Sequence, residues 1–103
     1  MKGYVIAHVD VRDPEAYRLY TDRTPDVVHS FGGRFIVRGA PVHRMEGDTD
    51  WKRLVVLEFP SLARAREWYD SGAYQAIIGL RQAVATSDLV IVEGYDYPDA
   101  PAD

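Results

Sequence analysis

The chain has 103 residues, 47% of them hydrophobic and 27% charged, and no cysteine. That length suits one domain around one core. The missing thiols exclude disulfides, thiolate catalysis and cysteine-ligated zinc, and a formal net charge of -4 supplies no general attraction to nucleic acid or anionic lipid.

Residues 4 to 11 read YVIAHVDV, a branched-rich alternation that predicts a strand with Val5, Ala7, Val9 and Val11 on one face and Tyr4, Ile6, His8 and Asp10 on the other. Asp10 arrives before a signal-like apolar stretch is complete, and no later apolar run approaches the roughly 20 residues of a membrane span. Cytoplasmic residence with no membrane partner is therefore expected. Asp13, Pro14 and Glu15 supply an N-cap, a first-turn proline and a first-turn acid, so a helix begins at Pro14. Tyr17, Tyr20, Val27, Val28 and Phe31 line one side of it; Pro25 is expected to kink or interrupt it, and Gly32 and Gly33 to end it.

The segment RFIVRG that follows predicts a second strand, with Arg34, Ile36 and Arg38 on one face and Phe35 and Val37 on the other. APVHRMEGDTD reads as a mobile connection to a third strand, WKRLVVLEF. An antiparallel hairpin of the two admits a register with Arg34 opposite Glu58, Ile36 opposite Val56 and Arg38 opposite Leu54. Ser61 is the expected N-cap of the next helix, along which Leu62, Ala65, Trp68 and Tyr69 recur at helical spacing. Ser71 and Gly72 break that helix, which resumes from Ala73 to Ala85. A last strand, LVIVEGY, runs from Leu89 to Tyr95. The domain is expected to cover residues 1–96, and 97–103 to form a flexible tail rich in Pro, Asp and Ala.

The order β-α-β-β-α-β predicts an α+β, ferredoxin-like domain: a four-stranded antiparallel-type sheet with both helices on one face. Strands one and three are expected to be neighbouring and parallel, bringing Asp10 and Glu58 to the same end of the sheet. His8, Asp10, Arg34, Arg38 and Glu58 would then share the helix-free face with Ile6, Ile36, Leu54 and Val56. So much apolar area calls for a cover, and a second copy of the chain is expected to provide it.

The motifs FGGRFIVRG, MEG, WKRLVVLEFPS, AREWYDSGAYQ, Arg81 and the closing VEGY, in this order, resemble the domain-of-unknown-function family 1330 over nearly the whole chain. The resemblance implies membership of the dimeric α+β barrel superfamily, in which two ferredoxin-like sheets face each other. Relatives there include cofactor-independent antibiotic-type monooxygenases and degradative enzymes. What this implies is small-molecule chemistry; it does not define a reaction.

Arg81 continues the stripe of Tyr74, Ile77 and Ile78, which Ala85 completes, so its guanidinium belongs on the buried side of a helix. Two readings follow: an arginine that holds an anion in a pocket, or one packed lengthwise and paired with Asp10, Glu58 or Glu93. His8 and Asp10, two residues apart on one strand face, have the chemistry of a proton-transfer pair with Glu58 as a third catalytic candidate; a hydrogen-bonded structural histidine is the other reading. Arg38 joins Arg81 as an anion partner, and Tyr69 and Tyr74 offer phenol tips to a planar or oxygenated ligand, within an aromatic layer that packing alone also explains. His29 and His43 lack ligand spacing, so no metal is expected, and no phosphate loop or dinucleotide fingerprint points to a cofactor.

Two functions remain open. One is a homodimer that binds a small oxygenated or anionic organic compound, with cofactor-independent oxidation or isomerisation as its enzymatic form. The other is a non-catalytic association module whose charges set dimer specificity. A cavity of a few hundred cubic ångströms bordered by Arg81 and a carboxylate favours the first, and a closed, fully paired network the second.

Overall fold

A computed structural model describes residues 1–98. The tail expected over residues 97–103 lies outside the described residues from 99 onward. The elements run β1 (Gly3–Val11), α1 (Pro14–Thr21), α2 (Thr24–Ser30), β2 (Arg34–Arg38), β3 (Arg53–Phe59), α3 (Leu62–Asp70), α4 (Gly72–Gln82) and β4 (Ala85–Glu93).

Local chemistry sets most of these boundaries. The Asp13 side chain accepts from the Ala16 amide, Ser61 from Arg64 and Ser71 from Tyr74, so three helices begin on side-chain caps. Pro25 does more than kink its helix. It sits in the first turn of α2, where its missing N–H is not needed, and the chain breaks before it. Gly32, at φ 78°, ends α2 in the left-handed region. The second boundary moves further: α4 stops at Gln82, and Ala85, expected inside that helix, is the buried first residue of β4 opposite Val11. The Arg12 amide donates to the Val84 carbonyl at 2.7 Å, so pairing with β1 captures the chain before another helical turn forms.

The sheet order is β2-β3-β1-β4 and every neighbouring pair is antiparallel. Both crossovers pass over one strand, which gives the α+β ferredoxin-like arrangement that the element order predicts. The expected parallel pairing of strands one and three is corrected. Tyr4 lies opposite Glu58 and Val9 opposite Arg53, so Asp10 and Glu58 stand at opposite ends of the sheet, about 20 Å apart at 3.3 Å per residue.

A second correction concerns β2. Arg34 pairs with Glu58 as expected, and Phe35 with Leu57, but the register then shifts so that Val37 faces Val56 and Arg38 faces Val55. Ile36 is the extra residue of a β-bulge. The bulge reverses the alternation beyond it and carries Arg38 to the helix side of the sheet.

On that side Val5, Val9, Phe59, Val28, Trp68 and Tyr74 are almost completely buried. The Trp68 ring centroid lies 4.1 Å from that of Tyr74 and 5.5 Å from that of Phe59, an aromatic seam that fixes α3 and α4 to the sheet. Tyr4, Ile6, His8 and Asp10 face the other way, alongside Leu54, Val56, Glu58, Val90 and Val92. Among the described residues no helix is long and apolar enough to cross a membrane.

Candidate functional site: an arginine-lined pocket between helices and sheet

Three elements each send one guanidinium to the same place. In β3 the alternation that buries Leu57 and Phe59 also turns Arg53 toward the helices, opposite Val9. In β2 the bulge delivers Arg38, and in α4 the stripe of Tyr74, Ile77 and Ile78 ends in Arg81. The three line a hollow of about 40 Å³ whose other walls include Val5, Val55, Leu57, Tyr20 and Trp68. An outer depression of about 480 Å³, edged by Val11, Pro14 and Arg18, shares Tyr17, Thr21, Arg38 and Arg53 with the hollow and so adjoins it.

Arg81 is only 6% exposed. Among the described residues the ion pairs join Arg34 to Glu58, Lys52 to Asp50, Arg64 to Glu67 and the N-terminus to Asp96, leaving Arg38, Arg53 and Arg81 without a carboxylate. Their partners are aromatic rings, one carbonyl and the phenols of Tyr17 and Tyr74, which Arg53 and Arg81 respectively favour in the ionised form. The Arg81 guanidinium carbon lies 5.8 Å from the Tyr20 ring centre, that of Arg53 5.7 Å from Tyr17, and that of Arg38 4.4 Å from Phe35. Arg38 Nη2 also donates to the Thr21 carbonyl at 3.3 Å. Arg53 Nε, Arg81 Nε and Trp68 Nε1 are buried and have no acceptor among the described residues. Three N–H donors around one hollow thus lack what a carboxylate or another acceptor-rich group would supply.

Space for Arg53 depends on Gly39. That residue sits at φ 77°, and a Cβ there would run into the Arg53 guanidinium. Behind the hollow, the Tyr20 and Tyr74 hydroxyls share a buried hydrogen bond of 2.7 Å. Burial pushes both phenols up from their ordinary value, with Arg81 opposing, and burial raises Tyr17 against the pull of Arg53. All three therefore stay protonated at neutral pH.

The residues singled out in the sequence divide by side of the sheet. Arg38 and Arg81 line the hollow, whereas Tyr74 stands behind Tyr20 and Tyr69 packs on the far side of Tyr74, ring centroids 5.6 Å apart. His8, Asp10 and Glu58 all face away from the pocket and do not converge. His8 Nε2 accepts the Lys52 amide at 2.9 Å, which puts its proton on Nδ1 in the neutral ring, and its ring lies 5.1 Å from that of Trp51. Glu58 accepts from Arg34 Nε at 2.9 Å and from the Tyr4 hydroxyl at 3.2 Å. Arg81 pairs with none of Asp10, Glu58 and Glu93, the partners that lengthwise packing required. Arg53 is not among the residues expected at a site from the sequence, although its place in register with Val55, Leu57 and Phe59 is a signal for it.

A family model described as a domain of unknown function (DUF1330) matches residues 2–95. The chain belongs to this family. No curated protein matches this DUF1330 chain in sequence. Among solved structures it is similar to a protein of unknown function from Rhodopseudomonas palustris, with TM-score 0.74 and 23% identity, covering 93% of this chain and 84% of that one. It is also similar to a dimeric ferredoxin-like protein of unknown function from Jannaschia, with TM-score 0.67 and 14% identity, covering 91% and 100% respectively. SnoaB, a cofactor-independent oxygenase from Streptomyces nogalater, aligns with TM-score 0.60 at 12% identity over 95% of this chain and 97% of its own. At these identities the likeness is one of fold.

Proposed function

We propose that this DUF1330 protein is a homodimer that binds a small organic anion in the pocket between helices and sheet of each protomer, with Arg81 and Arg38 as anion partners and Arg53 as a third. The observation that carries the reading is the pair of buried guanidinium Nε atoms, on Arg53 and Arg81, that have no acceptor among the described residues, beside a hollow without a carboxylate. Withdrawing a positive charge from water is costly unless an anion meets it, and none of the hollow's walls is an Asp, a Glu or a His. The hollow, at about 40 Å³ and with no bordering carboxylate, does not meet the size and carboxylate criterion set from the sequence, and the network is not fully paired either. The reading therefore rests on the unpaired donors and a counterion from outside. The same lack of carboxylate and imidazole argues for binding over proton-transfer catalysis by the groups around this hollow. The dimeric ferredoxin-like neighbours and the apolar open face of the sheet support pairing of two copies through that face.

The test needs no knowledge of the ligand. Arg81→Met keeps the aliphatic stem and removes the charge, so the unliganded variant should be as stable as wild type or more stable by about 1–4 kcal/mol in urea unfolding. A loss of about 3–5 kcal/mol would mean that Arg81 has an internal partner, and the pocket reading would fall.

A further inference from the structure

We infer that the ligand is a carboxylic acid with a compact apolar or planar body, bound with its carboxylate innermost against Arg53 and Arg81; this deepens the anion-binding reading and rests on it. Size is the first argument. A water needs about 10–15 Å³ of such space, so a hollow of about 40 Å³ holds roughly three water-sized groups, which matches the carbon and two oxygens of a carboxylate. A tetrahedral phosphate or sulfate, with five heavy atoms, would have to reach out of the hollow toward the depression. Donor chemistry is the second argument. Arg53 Nε, Arg81 Nε and Trp68 Nε1 all donate and nothing beside them needs a donor, so the head must be rich in acceptors, as an ionised carboxylate is. Water in the hollow would satisfy those N–H groups yet leave the buried Arg81 charge uncompensated and that of half-buried Arg53 only partly hydrated.

The body of the ligand then has one place to go. The outer depression of about 480 Å³ falls within the range of small-molecule sites, and Val11, Pro14 and the face of Tyr17 give it apolar wall. Arg18 and Arg38 at its edge are exposed, so they draw anions to the mouth and add little selectivity once the ligand is seated. Arg81 lines the hollow alone, whereas Arg38 and Arg53, with Tyr17 and Thr21, line both spaces and stand between them. Binding is thus oriented: head inward, body outward, with discrimination set at the inner pair of arginines.

Calorimetric titration and thermal unfolding of the full chain with benzoate, benzamide and inorganic phosphate test this. Benzoate should bind and raise the Tm, and benzamide, the neutral isostere, should bind about tenfold or more weakly. Phosphate should give no heat and no shift. Arg53→Met should abolish the benzoate response, and Arg38→Gln, a change at an exposed residue that leaves the core intact, should weaken it only a few-fold. Tight phosphate binding that Arg81→Met removes would overturn the carboxylate inference and leave the anion pocket standing. Equal binding of benzoate and benzamide would overturn both. Silence toward all three probes would overturn the carboxylate inference, and the anion reading would then be decided by the unliganded stability of Arg81→Met.

Discussion

Glu58 shows how one residue's surroundings set its chemistry. The hydrogen bond from Arg34 holds its carboxyl below the ordinary carboxylate value, the Arg34 charge and the Tyr4 hydroxyl act in the same direction, and partial desolvation opposes them. A depressed folded-state pKa contributes stability that is fully present above the unfolded-state value and is lost as pH falls through the folded one. Glu58→Gln should therefore lower stability at neutral pH, and the gap to wild type should close on acidification to about pH 3, below the ordinary range of a glutamate. Urea unfolding at the two pH values checks this, and a gap of constant size would exclude the ion pair as its source. The Arg34–Glu58 pair was legible in the sequence because it needs only alternation and a hairpin register. The separation of Asp10 from Glu58 was not, since it depends on which strand lies beside β1 and in which direction it runs.

At the scale of the element, the bulge in β2 decides what the pocket contains. Nothing in RFIVR announces it: there is no glycine at the extra residue, and Ile36 suits a regular strand as well as a bulged one, so plain alternation put Arg38 on the wrong face. Arg81, by contrast, was legible from its helical stripe, and Arg53 was readable from β3, where the pattern runs true from Leu57 back to the arginine. The start of β4 was hidden for another reason, because Ala85 is drawn into the strand by Val11 of β1, and Val84 is held by the Arg12 amide just beyond it, partners that local propensity does not register. Gly39, just beyond the bulge, joins backbone geometry to site geometry. Gly39→Ala forces a side chain into φ near 77° and into the space of the Arg53 guanidinium. It should cost about 1–3 kcal/mol and also depress benzoate affinity. Gly47→Ala is the control, since φ there is 90° but a Cβ meets nothing within 4 Å. That change should strain the backbone and leave affinity alone. Equal effects of the two on benzoate binding would show that Gly39 serves the turn and not the position of Arg53.

For the molecule as a whole, the two faces of the sheet divide the work: the helix face encloses the pocket, and the open face carries Val90 at 57%, Val92 at 46% and Ile6 at 36% exposure. Val90 pairs with Ile6 across the β4–β1 ladder, so the apolar surface is continuous over the edge strand β4 and its neighbour β1 and not scattered singly. A glutamate at position 90 adds a charge to that surface without touching the protomer's core. In a dimer built on these faces, each copy would bury the new carboxylate with no partner, which is strongly unfavourable. Val90→Glu should accordingly sediment as a monomer at concentrations where wild type is dimeric, whereas Arg38→Glu should remain a dimer, because the bulge has taken residue 38 to the other side. Straight alternation of β2 makes the opposite prediction for residue 38, so dissociation of Arg38→Glu would restore the unbulged reading and remove an arginine from the pocket. Because the hollow lies on the helix side of the sheet and Val90 on the open side, the monomeric Val90→Glu protein should still bind benzoate. Loss of binding together with loss of the dimer would place the partner's residues at the site and contradict a pocket complete within each protomer.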